Sequence, residues 1–210
     1  MNNKENISIM IVDDHAVVRL GLRSLLEKEE NYVVCCEAES VNEAYEKIET
    51  FSPDLILLDH KLPDGDGISA CRQIKIINSK IKIIIITAFV DDLLIKEAIL
   101  AGADGYLLKS IDRKAIISAI EKVLLGIPSI DPTMIKNIIN IVDIKPLEVE
   151  LKTQDNEILK LVAKGMTNKE IGKELFIAEK TVRNYLSRIM KKIEVNNRTE
   201  AALYWINQQK

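Results

Sequence analysis

The chain has 210 residues, a formal net charge of −3, and 47% hydrophobic against 29% charged residues, the balance of a globular protein long enough to bury a core. No uninterrupted apolar stretch reaches the roughly 20 residues that span a bilayer, and the start, MNNKENISIMIVDD, lacks the apolar core of a signal peptide, so neither a membrane protein nor a secreted one is expected. Cys35, Cys36 and Cys71 are odd in number and form no CxxC pair, which argues against a disulfide framework or a zinc site and for a reducing, cytoplasmic setting.

The net charge is −6 over residues 1–125, −2 over 126–150 and +5 over 151–210. An acidic part followed by a basic part predicts two domains with different partners, and the basic one invites nucleic acid. Over 1–125 the apolar pattern alternates between two periods. Strands are predicted at Ile7–Val12, Tyr32–Cys36, Asp54–Leu58, Lys82–Thr87 and Gly105–Leu108, and helices at about 15–29, 41–51, 66–77, 91–101 and 112–125. The strands are near-continuous apolar runs, such as IKIIIIT at 81–87, as parallel strands covered on both faces require. The expected fold is α/β: a five-stranded, parallel, doubly wound sheet over residues 1–126, with ligands bound outside the carboxyl ends of the strands.

Gly126-Ile127-Pro128 breaks this pattern, and residues 127–150 read as a linker with a helix at about 131–142, capped by Asp131 and opened by Pro132. Residues 151–210 read as a small all-α domain of four helices, at about 153–164, 167–175, 179–193 and 198–208. Gly165 is the natural end of the first. Thr167-Asn168-Lys169-Glu170 has the S/T-x-x-E spacing of a capping box at the start of the second. The tight connection at 176–178 predicts a helix-turn-helix.

Asp13 and Asp14 follow the first strand, and Asp59 follows the third. Neighbouring strands would bring three carboxylates together, and like charges in one pocket call for a hard divalent cation such as magnesium. A carboxylate can also attack phosphorus. Thr87 and Lys109 close two further strands at the same edge and can contact phosphoryl oxygens. Asp64-Gly65-Asp66-Gly67 reads as a turn with a helix cap, since the rest of a calcium-loop spacing is absent. His15 and His60 have no partner at metal-ligand spacing and are assigned roles in the structure or in supporting the site residues.

IVDDH at 11–15, LILLDHKLPDGDG at 55–67, TAF at 87–89 and GYLLK at 105–109 resemble the receiver domain of two-component response regulators, and residues 151–201 resemble the LuxR-type DNA-binding domain of the NarL/FixJ subfamily. The resemblance implies that Asp59 accepts a phosphoryl group from a sensor histidine kinase. Asp13, Asp14, Asp59 and the backbone carbonyl of Lys61 would hold magnesium or manganese. Thr87 and Lys109 would bind the phosphoryl group, Tyr106 would switch with Thr87, and the small Ala88 would leave room for the donor. Ser110 stands where many receivers have proline, and Lys61 and Phe89 occupy positions that influence phosphoryl lifetime in the family. Beyond self-phosphorylation and slow dephosphorylation, no enzyme activity is expected.

In the second half, a recognition helix at 179–193 would present its exposed side to the major groove of double-stranded DNA. Lys180, Arg183, Asn184 and Ser187 are the base-reading candidates, with Arg183 suited to guanine and Asn184 to adenine. Thr167, Asn168, Lys169, Tyr185, Arg188, Lys192 and Arg198 are the phosphate candidates; Tyr185 replaces a histidine frequent in the family. Val182, Leu186 and Ile189 form the buried stripe, and Tyr204 and Trp205 read as core or dimer-contact residues. The implied function is transcription regulation by a homodimer formed on phosphorylation, with RNA polymerase as a further partner. An aspartyl phosphatase of the haloacid dehalogenase type would need an acid where Lys61 stands. A regulator that ignores phosphate would be expected to have lost one of the five site residues. Neither G-x-G-x-x-G nor G-x-x-x-x-G-K-[ST] occurs.

Overall fold

The computed structural model describes residues 6–88, 91–109, 113–130, 151–195 and 197–208. The predicted linker helix at 131–142, the rest of the linker to 150, Phe89 and Ser110 lie outside the described residues.

Five strands, β1 (Ile7–Val12), β2 (Tyr32–Ala38), β3 (Leu55–Asp59), β6 (Lys82–Thr87) and β7 (Gly105–Leu108), form one parallel sheet in the order β2-β1-β3-β6-β7. They alternate with α1 (Ala16–Leu26), α2 (Val41–Phe51), α3 (Gly67–Ile77), α4 (Asp92–Leu100) and α5 (Arg113–Leu124). The period-2 alternation of the strands divides the core between the two faces. Met10, Val12, Ile56, Leu58, Ile83 and Ile85 pack with α2, α3 and α4. Ile9, Ile11, Leu55, Leu57, Ile84 and Ile86 pack with α1 and α5. Every residue of β3 is buried, which is why its run LILLD has no polar position before the terminal acid.

Between β3 and α3 lies a short antiparallel ladder, β4 (Lys61–Leu62) with β5 (Gly65–Asp66). Periodicity cannot reveal strands of two residues, and the sequence shows only the turn they flank. The cap at its end is as expected: the Asp66 carboxylate accepts from the N–H groups of Ile68 and Ser69.

The second half folds around its own core as α6 (Thr153–Ala163), α7 (Asn168–Glu174), α8 (Glu179–Lys192) and α9 (Arg198–Gln208). Gly165 ends the first turn-off with φ +78, and the capping box at Thr167 and Glu170 is complete. The expected stripe Val182, Leu186 and Ile189 is buried, and Tyr204 is core at 1% exposure.

Gly172 permits the sharp helix-turn-helix connection. A Cβ there would lie 2.7 Å from the Ile177 carbonyl oxygen, which belongs to the backbone of the turn and cannot rotate away. Gly172→Ala is expected to destabilise this domain by about 1–3 kcal/mol, the usual cost of overpacking. Trp205 is the only tryptophan, and its fluorescence during urea unfolding isolates the transition of this half; an unshifted midpoint would show that the turn relaxes freely.

Candidate functional site

The sheet order places β1 and β3 side by side with their following connections leaving in opposite directions, which opens a crevice at their carboxyl ends. Asp13 follows β1, and Asp59 is the last residue of β3. Both are buried, at 2% and 5% exposure, whereas Asp14 is exposed. Lys109, directly after β7, reaches back so that its Nζ lies 2.8 Å from Asp13 Oδ2 and 2.8 Å from Asp59 Oδ2. Thr87, the last residue of β6, is buried at the same edge. Its carbonyl accepts the Lys109 N–H at 2.6 Å, and its side chain is hydrogen-bonded to the Tyr106 hydroxyl. Tyr106 is 5% exposed and packs in the core face lined by α4. Asp13, Asp59, Lys109, Thr87 and Tyr106 are thereby joined in one chain of contacts. Lys61 contributes its backbone N–H to the Asp59 carboxylate.

The electrostatics follow from burial. Removal from water pushes the Asp59 carboxyl above its ordinary range; the Lys109 hydrogen bond offsets this, and the neighbouring Asp13 charge adds to it. Burial works against the Lys109 ammonium, yet its hydrogen bonds to Asp13 and Asp59 hold it above the usual lysine value. Burial also raises the Tyr106 phenol.

Ligand atoms of Asp13, Asp14, His15 and Asp59 all lie within 4.8 Å of one another. Three carboxylates in this space suit a hard divalent cation with oxygen ligands. His15 joins the cluster although its sequence spacing offered no partner: its Nδ1 is 2.6 Å from Asp14 Oδ1. His60 is not among the residues of this cluster, and its Nδ1 sits 3.5 Å from Asp66 Oδ1.

Arg19 is a supporting residue that the sequence reading passed over. It is 7% exposed, donates to the Asp13 backbone carbonyl at 2.7 Å and is paired with Glu37 and Glu39. It thereby fixes the loop that carries both aspartates. The available signal was its spacing: Arg19, Leu22 and Leu26 share the buried stripe of α1, and an arginine there must have partners.

On α8, Lys180, Arg183, Asn184 and Ser187 are exposed on one side, as the helical spacing predicts. Lys169, Arg188 and Lys192 are exposed as well, and Tyr185 is half-buried. Several phosphate candidates are also committed within the domain. Arg188 binds the buried Asp155 at 2.7 Å and lies over the Tyr185 ring, 4.6 Å from its centroid. Arg198 donates to Asn168 Oδ1 at 2.9 Å and to the Met166 carbonyl. Thr167 is occupied by its capping box.

The two halves touch. Asn197 Nδ2 donates to the Ile99 carbonyl at 2.9 Å, and Leu203 of α9 joins the core face that includes Ile95 and Ile99 of α4. Arg183 and Ser187 line a cleft shared with Arg72 and Lys75 of α3, so part of the base-reading side faces the sheet domain.

Comparison with known proteins covers both halves. Residues 9–121 match the family model of the response regulator receiver domain, and residues 150–205 match that of the bacterial regulatory proteins of the luxR family. The response regulator protein VraR of Staphylococcus aureus is 37% identical over 199 residues, spanning 94% of this chain and 95% of its own length. A LuxR-family two-component response regulator from Aurantimonas is 35% identical with a TM-score of 0.61, covering 65% of this chain and 98% of that one. The response regulator ChrA of a heme-sensing two-component system is 32% identical with a TM-score of 0.52, covering 97% and 98%. Among the described residues no helix is long and apolar enough to cross a membrane.

Proposed function

The chain belongs to the two-component response regulators that join a receiver domain to a luxR-family DNA-binding domain, and from that premise we propose that phosphorylation of Asp59 by a histidine kinase controls its sequence-specific binding to DNA in the cytoplasm. The observation that carries this reading is the ammonium of Lys109 bridging the carboxylates of Asp13 and Asp59 at the sheet's carboxyl edge. An Asp59 oxygen attacks the phosphorus of the phosphohistidine donor, and the imidazole departs with the P–N bonding pair as the new P–O bond forms. Lys109 and Thr87 then bind the oxygens of the transferred group. Magnesium or manganese, when held by Asp13, Asp14, Asp59 and the Lys61 carbonyl, would supply the remaining charge neutralisation. The chain acts on itself rather than on a separate substrate.

The switch is proposed to run through Thr87 and Tyr106. Their hydrogen bond links the site to the α4 face, and α4 is where Asn197 and Leu203 dock. Repositioning Thr87 towards a phosphoryl group changes what Tyr106 packs against, and so biases the equilibrium between docked and released DNA-binding halves. Release would free Arg183 and Ser187. A homodimer then reads paired half-sites, and the apolar side chains of Val17 and Leu20, 82% and 67% exposed on α1, support pairing with a second copy. RNA polymerase is the expected partner at the promoter.

The test is capture of fragmented genomic DNA on the purified protein, with magnesium alone and with magnesium plus beryllofluoride. Enrichment of defined fragments only with the phosphoryl mimic is expected. Equal enrichment in both arms would overturn phosphorylation as the switch, and no enrichment would overturn the recognition-helix assignment.

Two further outcomes are expected. At a hundredfold excess over its Kd, magnesium should stabilise the fold by about 2.7 kcal/mol. This appears as a rise in melting temperature that Asp13→Asn removes; an unmoved wild-type melting temperature across millimolar concentrations would rule out the metal site. On captured DNA, Arg183→Ala should cost about 1–3 kcal/mol and relax the preference at one base position. Lys169→Ala should weaken all sequences alike and reduce the salt dependence by about one ion. Binding competitions among single-base operator variants separate the two effects, and unchanged discrimination in Arg183→Ala would remove it from the reading set.

A further inference from the structure

Between α3 and the end of α4 on one side and α7 and α8 on the other lies a cleft of about 730 Å³, within the ~300–1,000 Å³ typical of small-molecule sites. Both of its walls are net positive. Arg72, Lys75 and Lys82 come from the receiver half and Arg183 and Arg198 from the DNA-binding half, against Asp104 as the acid on the wall. Asp104 is already bound to Lys75 at 2.6 Å and to Lys82 at 2.8 Å. Among the described residues Arg72 has no carboxylate partner, and Arg183 has only the exposed Glu179 at 3.2 Å.

Arg198 is the most telling. Its partners, Asn168 Oδ1 and the Met166 carbonyl, are both neutral, and its Nε is buried without a partner. Burial pulls its guanidinium down to about 10, which still leaves it charged at neutral pH. The whole chain carries −3, so this concentration of positive charge does not follow from a basic composition. Two docked walls of like charge repel each other. A multivalent anion between them converts that repulsion into attraction for both.

We propose that this cleft binds a small polyphosphate anion, free or as the tail of a nucleoside, and that the bound anion holds the two halves docked with Arg183 withheld from DNA. The site uses no glycine-rich phosphate loop; guanidinium and ammonium groups from two domains take that role. The inference goes beyond the phosphorylation switch and requires neither a phosphodonor nor an operator.

It is tested on the full chain at physiological salt, without magnesium or phosphodonor, by isothermal titration with inorganic triphosphate and, in a second arm, adenosine triphosphate. Saturable one-to-one binding is expected, weakened at least tenfold by Arg72→Glu, an exposed position whose substitution leaves the core intact. Lys122→Glu, the same charge change on the opposite face of the sheet, is expected to leave binding unaltered. Equal affinity for the two ligands identifies the phosphates as the recognised part, and tighter nucleotide binding adds its base; both results support the site. Triphosphate should also raise the concentration of wild-type protein needed to half-saturate a duplex DNA. Absence of saturable binding, equal losses in both charge reversals, or duplex binding indifferent to triphosphate would overturn the proposal. Because the titration is read without phosphorylation and without DNA, its outcome is independent of whether Asp59 is the switch.

Discussion

Asp59→Asn is expected to take up no phosphoryl group from a small acyl-phosphate donor in the presence of magnesium, while melting at a higher temperature than wild type at neutral pH. The first part follows from the nucleophile. The amide of asparagine has its nitrogen pair delocalised and its oxygen uncharged, so neither atom attacks phosphorus, and Asp13 is held by Lys109, His15 N–H and the β1 edge in a different position. The second part follows from burial. Desolvation lifts the Asp59 carboxyl above its ordinary range, and Lys109 does not fully offset it. A group whose folded-state pKa is raised contributes its full stability below its unfolded value and loses it as pH rises through the folded value. At neutral pH the charged aspartate is therefore a cost that asparagine removes, and Lys109 keeps Asp13 as partner. The gap in melting temperature between variant and wild type should narrow as pH falls towards the carboxylate range. Phosphate-affinity electrophoresis and thermal unfolding read the two parts separately. Undiminished uptake would place the acceptor elsewhere, and a lower melting temperature at neutral pH would show that the ion pair outweighs desolvation.

Gly67→Ala is expected to damage the site without touching any of its functional groups. A Cβ at this first residue of α3 would lie 1.9 Å from the Asp59 carbonyl oxygen, 3.0 Å from its carbonyl carbon and 3.1 Å from the His60 Cα. All three are backbone atoms, so no side-chain rotation relieves the overlap. The Gly67 N–H also donates to the His60 carbonyl at 2.9 Å, which pins the helix start against the end of β3. Alanine must push these segments apart, at or above the ~1–3 kcal/mol common for overpacking. The displacement falls on the residue that carries the acceptor oxygen, and a shift of about 1 Å is sufficient for a loss on the order of 10²-fold in rate. Chemical unfolding and the initial rate of phosphoryl uptake check the two consequences. A variant with wild-type stability and rate would show that α3 can stand off from β3.

Strands β1, β6 and β7 lie where their apolar runs predict, because a strand buried on both faces reads as a near-continuous apolar run. β2 runs two residues further than its apolar signal, to Ala38, since Glu37 faces Arg19 and Arg23 rather than solvent. The caps at Asp66 and Thr167 were legible because capping depends on residue type at fixed short spacing. The β4–β5 ladder was not, since four residues carry no period. Nor was the role of Arg188: its Asp155 lies 33 positions away on another helix, and a surface arginine with a distant buried acid looks the same in sequence as one awaiting a phosphate.

The sequence by itself determined the order of elements, the split into acidic and basic halves, the family, and the candidate set Asp13, Asp14, Asp59, Thr87 and Lys109. These are local quantities or motifs of ordered short segments, and parallel-strand topology carries their ends to one edge. Only the tertiary structure decided how they are joined: that one ammonium spans Asp13 and Asp59, that Arg19 supports their loop, and that His15 enters the carboxylate cluster. It alone decided that Arg183 and Arg198 face Arg72 across a shared cleft. Such pairings depend on angles and distances between elements far apart in the chain, and these are set by the packing of whole faces rather than by any segment's own composition.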